Sequence, residues 1–233
     1  MKIGVMQPYF LPYIGYFQLI NAVDQFIIYD NIQYTKKGWI NRNRILVNGR
    51  DEYITLPLKN DSDFLDVDQR FLADTLEKDK IKIVRKINES YRNAPFYEQA
   101  YYLINDILNY KNFNLFEFIF NSIIKICDYL DIRTQIVRSS EINIDHGLKS
   151  EKKVISICNT FNSPTYINSI GGMGLYSKKE FEKNSIELFF LETQKTEYKQ
   201  FDHDFVPWLS IIDVLMFNSK DQITHFLNNY KLK

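Results

Sequence analysis

Pro8 and Pro12 break the start of this chain into pieces that can only be joined by a loop. Ahead of them, residues 2–6 form a short apolar run that reads as a buried first strand. Two prolines this close cannot sit inside a helix or a central strand, so Gln7-Pro8-Tyr9-Phe10-Leu11-Pro12 must be irregular. From Tyr13 the spacing of Ile14, Phe17, Leu19 and Ile20 is helical, with Pro12 suited to the first helical position. Residues 25–29 then read as a second buried strand. Strand, helix, strand in immediate succession is the opening of an α/β fold.

The same alternation returns later. Residues 39–47 alternate like a strand, Asn48-Gly49 is a hairpin turn signal, and residues 53–58 read as the returning strand. Residues 71–131 carry helical spacing, including Ile81, Val84, Ile87 and Tyr91, and form a candidate helical subdomain. Strands are expected at 132–137, 165–168 and 187–191, with helices at 152–162, 177–184, 208–217 and 221–230. The expected architecture is one α/β domain over residues 1–233. It is Rossmann-like, with a partly parallel sheet and a mainly helical middle or C-terminal part. A chain of 233 residues is long enough to bury a sizeable core of this kind.

Composition narrows the function. Lys plus Arg equals Asp plus Glu, at 29 each, so no global basic field invites nucleic acid. No apolar run approaches the ~18 residues of a membrane span. The first apolar run is too short for a signal peptide, so a cytoplasmic location is expected. Cys127 and Cys158 lie in apolar, helical stretches and are expected as free buried thiols. These two cysteines and three scattered histidines make no zinc site, and no metal is expected. The 18 Phe and 16 Tyr suit an aromatic core and equally a wall for a small molecule or sugar.

Four segments carry the candidate chemistry. The first is the loop after strand one, where Gln7 offers an amide and Tyr9 a hydroxyl beyond the carboxyl end of a strand. Gly15, just behind it, permits close approach of a ligand or of backbone. The second runs from Asp30 to Arg44 and is unusually polar between two apolar strands. Residues two apart on a strand point the same way, so Arg42 and Arg44 share a face suited to clamping phosphate or carboxylate. Asn41, Asn43 and Trp39 add contacts of the kind a sugar or ribose accepts, and Asp30 closes strand two. The bland alternative is a solvated hairpin. The third segment has Gly171, Gly172 and Gly174 after a strand, either an anion-binding backbone nest or a turn needing positive φ. The fourth places Asp213 among apolar residues on a helix, as an acid or base of raised pKa or as a first-turn carboxylate near a Ser210 cap. His203 nearby reads as exposed and has no nucleophile paired with it.

Taken together these segments resemble the WbqC-like family. The likeness rests on Gln7-Pro8-Tyr9-Phe10-Leu11-Pro12-Tyr13-Ile14-Gly15-Tyr16-Phe17 and on Gly38-Trp39-Ile40-Asn41-Arg42-Asn43-Arg44-Ile45. It continues through Thr55-Leu56-Pro57, Tyr91, Ala94-Pro95, the glycine loop and Pro207-Trp208-Leu209-Ser210-Ile211-Ile212-Asp213. Many relatives carry His-Gln-Pro at the opening, where this chain has Met6-Gln7-Pro8, so chemistry that uses that His does not carry over. The resemblance implies a setting in O-antigen or other surface polysaccharide biosynthesis. It implies transfer or ligation of an amino acid or small acyl group onto an amino sugar, one linked to a nucleotide. ATP or a carrier-bound thioester would supply the activated acyl group, and an acyl carrier protein is then a candidate partner.

In that reading Arg42 and Arg44 hold phosphates or the acyl carboxylate. Gln7, Tyr9, Asn41 and Asn43 orient sugar or ribose, the Gly171-Gly172 backbone receives developing negative charge, and Asp213 or Asp30 takes the amine proton. The loop-then-helix after strand one also looks like the HUP-type nucleotide-binding fold, which makes a nucleotidyltransferase the alternative. A non-catalytic sugar-nucleotide binding subunit is the third reading.

Overall fold

A computed structural model describes all residues, 1–233. In chain order the elements are β1 (Lys2–Met6), α1 (Ile14–Ala22), β2 (Gln25–Ile28), β3 (Arg42–Val47), β4 (Arg50–Thr55), α2 (Leu76–Tyr91), α3 (Tyr97–Leu108) and α4 (Leu115–Tyr129). There follow β5 (Gln135–Arg138), α5 (Ser150–Thr160), β6 (Thr165–Ser169), α6 (Lys178–Lys183), β7 (Glu187–Thr193), α7 (Ile211–Phe217), α8 (Lys220–Leu227) and β8 (Tyr230–Leu232). Six strands form one sheet in the order β5-β2-β1-β6-β7-β8, and β3-β4 stand apart as a hairpin. Every pair from β5 to β7 is parallel, and β8 alone runs antiparallel. This is the expected Rossmann-like α/β architecture.

Alternation along the strands explains the layering. Ile3, Val5 and Ile27 point to one face, where they meet Val154, Ile157 and Cys158 of α5 and Phe181 of α6. Phe26, Ile28 and Ile167 point to the other, into a larger cluster with Phe17, Leu19 and Ile20 of α1. Buried residues of α2, α3, α4, α7 and α8 belong to that same larger cluster. The helical middle of the chain therefore shares a continuous apolar core with the sheet. Cys127 and Cys158 are both free and buried.

The departures from expectation are local. Pro12 lies outside α1, whose N-cap is Tyr13. β3 begins at Arg42 rather than Trp39, because the backbone at 39–41 is used elsewhere. Phe10 N donates to Ile40 O at 3.0 Å, and Leu56 N donates to Asn41 O at 2.8 Å. The turn at Asn48 and Gly49 has φ of 49° and 76°, as a two-residue hairpin turn of this sequence requires. The last helix stops at Leu227, and Tyr230–Leu232 pairs with β7. Three residues are too few to show a strand period, whereas the unpaired edge of β7 supplies the hydrogen bonds that hold them.

Candidate ligand-binding cleft

β2, β1 and β6 run parallel and therefore end at the same edge of the sheet. The chain leaves β1 through α1 toward β2 on one side, while β6 flanks β1 on the other. Such a reversal of strand order opens a crevice at the carboxyl edge. A cleft of about 800 Å³ lies there. Its walls come from the loop after β1, the segment after β2, the first turn of α5 and the glycine segment after β6.

Each wall is held by specific bonds. In the β1 loop, Tyr16 Oη donates to Gln7 O at 2.9 Å and Tyr9 Oη to Gln7 Oε1 at 3.3 Å. Burial raises the pKa of Tyr9, so its hydroxyl stays a neutral donor and acceptor. After β2, Asn31 is a hub. Its Oδ1 accepts from Lys153 Nζ at 3.1 Å and from Ser139 Oγ at 2.5 Å, and its Nδ2 donates to His146 Nδ1 at 2.9 Å. His146 Nε2 then faces Ile142 O at 3.1 Å. Both ring nitrogens are thus engaged, and the imidazole braces Asn31.

Lys153 is the unusual group. It is 8% exposed, its ammonium lies 5.1 Å from the centre of the Tyr29 ring, and no carboxylate pairs with it. Burial lowers its pKa, while the charges of Asp30 and Asp66 act in the opposite sense. Asp30 is buried behind this network; it accepts from Ser140 N at 2.9 Å and from Ser140 Oγ, and shares the single Ser139 Oγ proton, at 2.8 Å, with Asn31 Oδ1.

On the far wall, residues Ile170–Leu175 form a 3-10 segment. The chain's one positive-φ glycine is Gly49, so the glycines here do not serve a left-handed turn. Gly172 is required by proximity, because a Cβ there would collide with the side-chain amide of Asn168. Asn168 is buried in the cleft wall, and its Oδ1 accepts from Ser169 N at 2.8 Å. Gly15 has a related role, since a Cβ would strike the Tyr13 ring and Thr193. The close approach there is to protein.

The structure brings only part of the expected set together. Gln7, Tyr9, Gly171 and Gly172 line the cleft, and Asp30 lies behind it through Ser139 and Asn31. Trp39, Asn41, Arg42, Asn43, Arg44 and Asp213 are not among the lining residues. Arg42 does not join Arg44 in a clamp. It donates to Gly38 O at 3.0 Å and to Lys37 O and sits 4.6 Å over the Tyr53 ring. Arg44 pairs with Asp51 at 2.9 Å and lies 5.4 Å from the centre of the Trp39 ring. Asn41 accepts from Tyr34 Oη at 2.9 Å and donates to Leu56 O at 2.9 Å. Asn43 is buried, donating to Phe10 O at 3.1 Å and Leu11 O at 2.9 Å.

Asp213 has 0% exposure and accepts from Tyr91 Oη at 2.9 Å, Tyr198 Oη at 2.7 Å and Gln200 Nε2 at 2.6 Å. Burial pushes its pKa up to about 6, against the three hydrogen bonds. Lys153, Asn31, His146 and Asn168 are cleft residues that the sequence reading did not assign. A trace of Lys153 was available, since it sits four residues before Ile157 on the buried face of α5.

The family model described as "WbqC-like protein family" matches residues 7–225. The chain is 31% identical over 216 residues to "Uncharacterized protein Rv1507c" of Mycobacterium tuberculosis (strain ATCC 25618 / H37Rv), covering 92% of each chain. No solved structure matches it.

Proposed function

The chain belongs to the WbqC-like protein family, and we propose that it joins an amino acid or other small acyl group to the amine of a nucleotide-linked amino sugar bound in this cleft. The observation that carries the reading is the make-up of the cleft. Gln7, Tyr9, Asn31 and Asn168 present neutral hydrogen-bonding groups at the strand ends, in a space of about 800 Å³. Neutral amides and hydroxyls suit sugar and ribose hydroxyls, and the volume suits a ligand of that size. No helix of the chain is long and apolar enough to cross a membrane.

In this reading the sugar amine attacks the acyl carbonyl. The C–N bond forms, the bond to the leaving phosphate or carrier thiolate breaks, and the amine gives up a proton. Backbone N–H groups at Gly171 and Gly172 face the developing oxyanion. Asp66, a carboxylate of the cleft wall, takes the proton. Asp30 positions Ser139, Asn31 and Lys153.

Incubation of the protein with amino-sugar nucleotides and acyl donors, followed by mass spectrometry, tests this directly. The donors are amino acids with ATP and carrier-linked thioesters. The expected result is a gain of one acyl group on the sugar nucleotide. Gln7→Ala should cut kcat/KM by at least about tenfold, ~1.4 kcal/mol of transition-state stabilisation. No mass gain with any donor would overturn the reading. Pyrophosphate release without an acylated product would replace it with nucleotidyl transfer, and tight binding without turnover with a binding subunit.

A further inference from the structure

Three features of the cleft are not fully partnered inside the protein. The first is Lys153, a residue only 8% exposed that lines the cleft, forms no ion pair and meets one protein acceptor, Asn31 Oδ1. Two of its three N–H groups are left for something else. The second is the start of α5, an eleven-residue helix whose first turn has no side-chain cap and contributes Lys149 and Ser150 to the wall. Glu151, the acid in that turn, is turned away to accept from Ser177 N. The third is apolar. Phe64 is 85% exposed and Leu175 is 64% exposed, yet both belong to the cleft's lining. Phe64 comes from the loop after β4 and Leu175 from the 3-10 segment after β6.

The charge balance points the same way. Among the lining residues two lysines stand against one carboxylate, Asp66. A buried ammonium without a counter-ion is costly, and a bound anion removes that cost. Free N–H groups at a helix start favour phosphate in particular. An aromatic ring left in water at the mouth of the same cleft favours a planar base.

We propose that the cleft binds a nucleoside diphosphate, with its phosphates at Lys153 and the first turn of α5 and its base against Phe64. This deepens the reading of a nucleotide-linked substrate and rests on the same cleft. It makes no use of the acyl step. Lys153 acts as the anion anchor. Phe64 discriminates a nucleotide from bare pyrophosphate.

Isothermal titration of the full chain with UDP, CDP, dTDP, ADP and GDP, and with inorganic pyrophosphate, tests the assignment without any acyl donor present. At least one nucleoside diphosphate should bind, and pyrophosphate should bind more weakly. Lys153→Met should weaken both by at least tenfold, and Lys153→Arg should restore part of the loss. Phe64→Ala, at an exposed position that cannot threaten the fold, should weaken the nucleotide and leave pyrophosphate unchanged. Failure of every nucleotide to bind the wild-type protein overturns the proposal, as does wild-type affinity in Lys153→Met. Equal weakening of pyrophosphate by Phe64→Ala overturns the base site. Nucleotide binding without acyl transfer would sink only the transferase reading, whereas acyl transfer onto a free amino sugar without nucleotide binding would sink this one, together with the nucleotide link of the substrate, and leave acyl transfer itself standing.

Discussion

Replacing Asp213 by alanine should cost about 2–5 kcal/mol of stability, because two buried hydroxyls lose their acceptor. The carboxylate has no solvent exposure and serves three donors. Gln200 keeps a bond to Val206 O at 3.1 Å, but the hydroxyls of Tyr91 and Tyr198 lose their acceptor. Each orphaned buried donor costs roughly 1–3 kcal/mol. Tyr91 also accepts from Leu46 N at 2.7 Å, so the loss reaches β3. Asn at this position should cost less than Ala, because it keeps one acceptor oxygen. Urea unfolding with an unchanged m-value measures both. A variant within about 1 kcal/mol of wild type, against this range, would mean the network is dispensable.

The same group sets a pH dependence of unusual sign. Its pKa is 3.8 as an ordinary carboxyl and about 6 in the folded protein. The folded state therefore holds the proton more tightly than the unfolded state between those values. Stability from this group is fully present below the ordinary carboxyl pKa and is lost as pH rises through about 6. The difference between those two values corresponds to ~3 kcal/mol. Subtracting the pH profile of Asp213→Asn from that of the wild type should leave a fall of that direction across this window. A flat difference, or a rise, would refute it.

The fold was legible because its periods are strong. Apolar runs flanked by loops gave β1, β2, β6 and β7, and the double proline fixed where β1 must stop. The lining of the cleft was legible where position follows from topology: Gln7 and Tyr9, and Gly171 and Gly172, lie beyond the carboxyl ends of strands. The stretch from Trp39 to Arg44 lies away from the cleft for a physical reason. A hairpin detached from the main sheet needs polar side chains to satisfy the loops beside it, and Asn41 and Asn43 do this. An amide that binds a carbonyl of the chain and one that binds a sugar look alike in sequence. Lys153 hid in the opposite way. A lysine in an amphipathic helix normally lies on the solvent face, and only the packing of α5 against the sheet shows this one turned inward.

Asn43→Ala separates those two roles for an amide. Asn43 bridges two consecutive carbonyls, Phe10 O and Leu11 O, and its Oδ1 accepts from Arg44 N at 2.8 Å. Leu11 is held at a φ of 43°, a left-handed conformation that costs an L-residue about 1–2 kcal/mol. Ser210 Oγ also donates to Leu11 O, at 2.7 Å, but Phe10 O would be left without that amide. Loss of two buried bonds and one part-buried bond should lower stability by about 2–4 kcal/mol. The strain at Leu11 would then relax, and the loop that carries Gln7 and Tyr9 into the cleft would loosen with it. Urea unfolding gives the first effect. Hydrogen exchange gives the second, as faster exchange at the Arg44 amide that Asn43 now protects. Were Asn43 a ligand contact and nothing more, the variant would unfold at the wild-type urea concentration and exchange at the wild-type rate.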